Sequence, residues 1–185
     1  MSRRYPRRLV WLHWLTLTAV LAAVLCVLGR EWTGDRALRT LLLETHRQLG
    51  LLVFAGTVLR LAIRRMFGEL PAPLAEGLHL WAVHAAHAVL YLLLIGLPVL
   101  GVLATQASGH PVTLLGMPLV NIVERNRDLT EQITEVHEIG AWLLLALAGL
   151  HAAAAIWHHA VLRDDTLRRM LPLRWTRNTT REYPQ

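Results

Sequence analysis

Four apolar stretches dominate this chain, at about residues 9–29, 43–67, 78–104 and 133–162, and each is long enough to cross a bilayer. Hydrocarbon offers no water to backbone N–H and C=O groups, so such segments must close their hydrogen bonds internally. That constraint sets the expected fold class: an all-α, four-helix transmembrane bundle. The chain is 54% hydrophobic with mean hydropathy +0.38, too apolar for an ordinary soluble domain of 185 residues. It reads as one integral membrane domain, residues 1–185.

The connections carry turn chemistry. Thr33-Gly34-Asp35 separates the first two spans and Leu70-Pro71-Ala72-Pro73 the next two. The longest connection, about 105–132, holds Ser108-Gly109-His110-Pro111 and a polar run from Glu124 to Glu131. A short amphipathic helix is expected in its second half.

All 19 basic residues are arginine, and their placement sets the orientation. Thirteen fall on one side: Arg3, Arg4, Arg7 and Arg8, then Arg60, Arg64 and Arg65, then Arg163, Arg168, Arg169, Arg174, Arg177 and Arg181. Arg30, Arg36, Arg39, Arg47, Arg125 and Arg127 fall on the other, with acids interspersed. Both termini are therefore expected in the cytoplasm. The net charge of +6 does not point to nucleic acid, because the arginines end apolar runs instead of lining one polar face. Trp11, Trp14, Trp32, Trp81, Trp157 and Trp175 lie near span ends, as an aromatic belt would. Cleavage of the first span as a signal peptide is not expected: no A-x-A-like site follows, and Ala23-Val24-Leu25 before Cys26 makes a poor lipoprotein site. One cysteine rules out an intrachain disulfide, and without CxxCH covalent heme attachment is excluded.

Histidine placement inside the spans carries the functional signal. His137 and His151 lie fourteen residues apart, close to one face of the fourth span and about 21 Å apart along its axis. Metal-capable side chains inside a membrane are costly and usually functional. The charge-derived topology puts His13 near the inner side and His46 near the outer side. In the fourth span His137 is outer and His151 inner. Depth therefore pairs His13 with His151 and His46 with His137. One imidazole pair in each leaflet is what two stacked hemes require. Two strong-field ligands per iron leave no open position for oxygen and favour electron transfer. Methionine is a poor alternative donor, since Met66, Met117 and Met170 lie at ends or in loops. Gly50, Gly140, Gly149 and Ala152 to Ala155 offer low relief for a flat macrocycle.

Two other readings compete. Each histidine taken alone also suits an interhelical hydrogen bond. A metal-ion transporter would use histidines too, but its ligands would converge on one site and include intramembrane acids, absent from these apolar centres.

LVWLHW in the first span, ETHRQLGLLV in the second, HAAHAVLYLLLIGLPVLG in the third and EVHEIGAWLLLALAGLHAAAAIWHHAVLRDDTLRRMLP in the fourth resemble bacterial cytochrome b561, a four-helix, di-heme, quinone-linked family of the inner membrane. The resemblance covers nearly the whole chain. It implies two heme b groups, with His13, His46, His137 and His151 as axial ligands to heme iron, in agreement with the depth argument. It also implies ubiquinone as substrate, His158 as a quinone contact beneath the inner heme, and superoxide or another outer-side donor as the electron source. The favoured activity is superoxide:ubiquinone oxidoreductase; the nearest alternative is a cytochrome b anchor subunit of a dehydrogenase or hydrogenase. His84 or His87 is a candidate for a heme propionate. Arg47, Arg125 and Arg127 are candidates for propionates or for drawing an anion to the outer side. Asp164-Asp165-Thr166 is expected to cap a short tail helix.

Overall fold

A computed structural model describes residues 5–66, 77–114 and 116–172. The Leu70–Pro73 break, Phe67, Trp175, and Arg3, Arg4, Arg174, Arg177 and Arg181 lie outside the described residues. Four long helices follow one another: α1 (Arg7–Trp32), α2 (Arg36–Met66), α3 (Gly77–Ala107) and α4 (Arg127–Trp157). The fold is all-α apart from a two-stranded antiparallel hairpin, β1 (Thr113–Leu114) with β2 (Met117–Pro118).

Local chemistry sets the helix ends. Asp35 caps α2, its Oδ1 accepting from the Ala37 N–H at 2.8 Å. Asn126 caps α4 through Oδ1 and the Leu129 N–H at 3.0 Å. The helices outrun the apolar cores that mark them in the sequence, because charged residues at their ends continue the turns. In α2 this is pronounced: only residues 48–59 separate Arg47 from Arg60. α1, α3 and the fourth helical segment are each long and apolar enough to cross a membrane, whereas the charges of α2 keep it below that threshold.

Arg7, Met66, Gly77 and the exit of α4 define one end of the bundle, called here the terminal end; the α1–α2 connection and the 108–126 connection define the loop end. α1 packs against α2, α2 against α3, and α3 against α4, while the backbones of α1 and α2 stand off from α4. A buried cluster of Ala19, Val20, Val53, Leu97 and Leu144 fills the middle. Leu144 lies seven residues from both His137 and His151, so this apolar layer separates two depths of the bundle. Large apolar side chains elsewhere face outward, Leu25, Leu92 and Leu150 among them, as lipid-facing positions do.

The long connection contains no separate amphipathic helix among its described residues. Its polar end joins α4 from Arg127 onward, because Asn126 starts the helix there. Its first half is fastened across the loop end. The buried Gln106 donates to the Val120 carbonyl at 2.9 Å and accepts from the Ile122 N–H at 3.1 Å. Gln48 of α2 donates to the Thr113 carbonyl at 2.7 Å.

After Trp157 the fourth helix widens into a π-helical turn, His158–Leu162, and stops at Arg163 in the left-handed region, φ 55°. The tail that follows is one 3₁₀ turn, Arg168–Met170, preceded by Leu167. It has no side-chain cap. Asp164 is engaged elsewhere, accepting from the His158 ring at 2.5 Å and from the Thr166 N–H at 2.8 Å. The tail folds back on α1, where the Trp14 indole donates to the Met170 carbonyl at 2.8 Å.

Candidate functional site: two histidine pairs

The loop-end pair is built by α2 and α4. The His46 and His137 rings have centroids 6.2 Å apart and planes 75° apart. Each ring is oriented by a backbone carbonyl. His46 Nδ1–H donates to Ala23 of α1 at 2.9 Å, and His137 Nδ1–H donates to Leu97 of α3 at 3.0 Å. Those bonds put the ring protons on Nδ1 and leave each Nε2 a free lone pair. Pro98 follows Leu97; lacking an N–H for the Leu94 carbonyl, it loosens the helix ladder in the turn before it. Gly101 completes the fit: a Cβ at that position would stand 3.5 Å from His137 Cε1.

A cavity of about 350 Å³ adjoins this pair, lined by His46, His137, Gly50, Leu94 and Ala141, with Thr105 and Ser108 among its polar lining. Arg47 also lines it and is ion-paired with Glu44.

The terminal-end pair is built by α1 and α4. His13 and His151 have ring centroids 6.4 Å apart and planes 74° apart, nearly the geometry of the other pair. Its surroundings are different. Arg60 of α2 hydrogen-bonds His13 Nδ1 at 3.0 Å, and its guanidinium lies 5.7 Å from the centre of the Tyr91 ring. A third imidazole joins: the His87 ring centroid is 5.3 Å from that of His151. His87 Nδ1–H donates to the Val83 carbonyl at 2.7 Å. Trp14 packs edge-on against His13, centroids 5.8 Å apart.

The structure thus brings together His13 with His151 and His46 with His137. It places His158 beyond these pairs in the π-helical turn, held to Asp164. Burial pushes the Asp164 carboxyl up, but hydrogen bonds from the His158 ring and from Thr166 outweigh it and hold the carboxyl at about 2. His84 is exposed at the terminal end of α3. On the loop-end surface, Arg127 is ion-paired with Glu131 at 3.0 Å, and Arg125 lies against Gly109. Gly50 and Gly149 face open space, as low-relief positions should. Gly140 does not: a Cβ there would meet Leu97 Cδ2 at 2.8 Å, so this glycine serves close packing of α4 on α3.

Sequence reasoning overlooks Arg60, Gly101 and the approach of His87 to His151. Arg60 is read there as an orientation charge. Its one distinguishing signal is depth: it lies a full turn further into the span than Arg64.

These features define a class first: a multi-pass, all-α membrane protein with paired histidines at two depths. The chain belongs to the prokaryotic cytochrome b561 family, whose model matches residues 4–173. It is 32% identical over 178 residues to cytochrome b561 homolog 1 of Escherichia coli K12, covering 92% of this chain and 98% of that one. It is 29% identical over 177 residues to a probable superoxide oxidase of Yersinia pestis, covering 93% and 98%. Cytochrome b561 homolog 2 of E. coli K12 is 31% identical over 131 residues, 69% of each chain. The protein is therefore a bacterial membrane protein of an electron-transfer family, and membership implies b-type heme.

The residues present fit that group. A metal–imidazole bond of about 2.0–2.1 Å on each side, plus about 1.1 Å from nitrogen to ring centre, puts opposed centroids about 6.3 Å apart. Both pairs have that separation. Each pair joins α4 to a helix other than α3, the one it packs against most closely. At the loop end the Ala23 and Leu97 carbonyls that accept from Nδ1–H are the usual second partners of a ligating imidazole. At His13 one proton must shift. A guanidinium only donates, so Nδ1 accepts and the proton of the neutral ring sits on Nε2. To hold a metal through Nε2, His13 would need that proton on Nδ1 instead, the atom that Arg60 bonds here.

Proposed function

We propose that the chain is a single membrane domain that carries electrons across the bacterial inner membrane between two heme b groups. His46 and His137 hold one, His13 and His151 the other. The observation that carries this reading is the repetition of one imidazole-to-imidazole spacing at two depths of the same bundle. Heme held by these four histidines would supply one-electron chemistry. The protein's own residues do the rest: Ala23 and Leu97 fix two rings, and the Leu144 layer keeps water from between the two depths.

The arginine distribution supports an orientation with both termini in the cytoplasm, which makes the loop end the outer face. Similarity to a probable superoxide oxidase supports superoxide as donor and a quinone, ubiquinone, as acceptor. Two superoxide anions would each lose one electron to become dioxygen. The quinone would take both electrons and two protons to become quinol. His158, on the terminal-end side and backed by Asp164, is suited to bond a quinone carbonyl and pass a proton. A reduced-minus-oxidised visible spectrum with heme quantitation is the first test, and two hemes per chain is the expected result. Superoxide-dependent reduction of ubiquinone by the loaded protein is the second. Fewer than two hemes at full loading overturns the ligand reading. Two hemes without that turnover overturns the superoxide assignment alone.

A further inference from the structure

Two pairs of nearly equal spacing stand in unlike electrostatic surroundings, and one guanidinium makes most of the difference. At the loop-end pair both Nδ1 partners are neutral carbonyls, and the nearby cation, Arg47, is neutralised by Glu44. At the terminal-end pair Arg60 touches His13 itself and, among the described residues, has no carboxylate partner. Arg64, one turn along α2, has the same sign.

We propose that Arg60 sets the direction of electron flow, by raising the reduction potential of the terminal-end heme above that of the loop-end heme. The inference rests on the two-pair ligand reading. Reduction lowers the positive charge at an iron centre by one, so a fixed cation nearby favours the reduced state. A unit charge about 8 Å away, in a medium of effective dielectric about 20, shifts a one-electron equilibrium about thirtyfold. Heme carboxylates and solvent at the bundle end reduce that, which makes tenfold the smallest shift expected. The effect survives the proton shift at His13, because the Tyr91 face holds the guanidinium beside the ring without the Nδ1 bond. Electrons then run from the loop end, where neutral partners surround the histidines, toward the terminal end. Arg60 acts through space by its charge, touches neither substrate nor reacting atoms, and is not a catalytic residue.

Redox titration of the heme-loaded full chain, followed by visible absorption, tests this. The terminal-end component is the one that His151→Ala removes. The unsubstituted protein is expected to titrate as two one-electron components with the terminal-end one higher. Arg60→Gln is expected to lower that component at least tenfold in equilibrium constant, about 59 mV for one electron, and to leave the other in place. Arg60→Lys keeps the charge and is expected to stay within threefold of the unsubstituted protein. An unmoved terminal-end midpoint in heme-replete Arg60→Gln overturns the proposal, and so does a terminal-end component that is the lower of the two. If Arg60→Gln loses the heme, Arg60→Lys decides. Heme retained at an unchanged midpoint supports the proposal; heme lost, or a midpoint lowered tenfold, makes Arg60 a structural residue and overturns it. One heme or none in the unsubstituted protein overturns the ligand reading instead, before any midpoints are compared.

Discussion

The two ends of the bundle solve one problem in different ways. At the loop end, His46 and His137 are oriented by main-chain carbonyls of neighbouring helices, beside a cavity whose one arginine among the described lining residues is salt-bridged. At the terminal end, His13 and His151 meet at almost the same distance but share their surroundings with Arg60, His87 and Tyr91. The spacing of two rings decides what can be held between them. The charges and dipoles around them decide how the held group behaves. On the proposed ligand reading, a bundle that repeats the first and varies the second would hold two centres of the same kind with different properties.

The sharpest way to break this comparison is to remove one ring at a time. His13→Ala or His151→Ala is expected to abolish the terminal-end heme and keep much of the loop-end signal, so that about half the heme remains. His46→Ala or His137→Ala is expected to do the reverse. Equal loss of both signals from every variant, by spectrum and pigment quantitation, would show that the two ends are not independent sites.

Next in size is the loop-end support. Gly101→Leu puts a side chain where His137 Cε1 lies 3.5 Å from a bare Cβ position, which pushes the ring from the Leu97 carbonyl. Disturbing such an orienting partner typically costs about 10–100-fold in metal affinity. Heme titration should find weaker binding at the loop end only.

His158→Ala probes the terminal end without touching a proposed ligand. Quinone turnover is expected to fall about 100-fold or more, the usual range for a lost general acid, while heme content stays unchanged. Unchanged kinetics would remove His158 from the quinone site.

Glu44→Gln sharpens the electrostatic contrast from the other side. It frees the Arg47 charge near the loop-end pair and should raise that midpoint. The Arg47 and Glu44 side chains are 21% and 48% exposed, so solvent screening limits the shift to about twofold in equilibrium constant.

The smallest expected effect is on the tail. The Asp164 carboxyl, held at about 2, is depressed from its ordinary value near 4. A depressed carboxyl contributes stability above its unfolded pKa, and that stability is lost as pH falls through the folded value. Protection of the amides in residues 163–172, taken relative to their intrinsic exchange rates, should therefore be full at neutral pH and fall between about pH 4 and pH 2. Asp164→Asn should flatten that dependence.

Much of this was legible before any coordinates. Fourteen residues between His137 and His151 place both on one stripe of a helix, and successive antiparallel spans convert sequence position into depth. Those two facts are enough to pair four histidines, because the helical repeat and the bilayer thickness are fixed. Less legible were the ends. Asp164 reads as a cap from its position before a short helix, yet the carboxylate bonds the His158 ring once the π-helical turn brings the two together. Gly140 reads as a surface for a macrocycle, but α3 packs on it.

The sequence alone determined the all-helical architecture and the depth of each histidine, since apolar length and helical period depend only on residue order. Only the tertiary structure decided which faces meet: Arg60 against His13, His87 against His151, Gly101 against His137. The reason lies in the solvent. Lipid is as apolar as leucine, so hydrophobicity does not mark which side of a span turns inward. The rotation of each helix about its axis is set by side-chain packing, which residue order does not display.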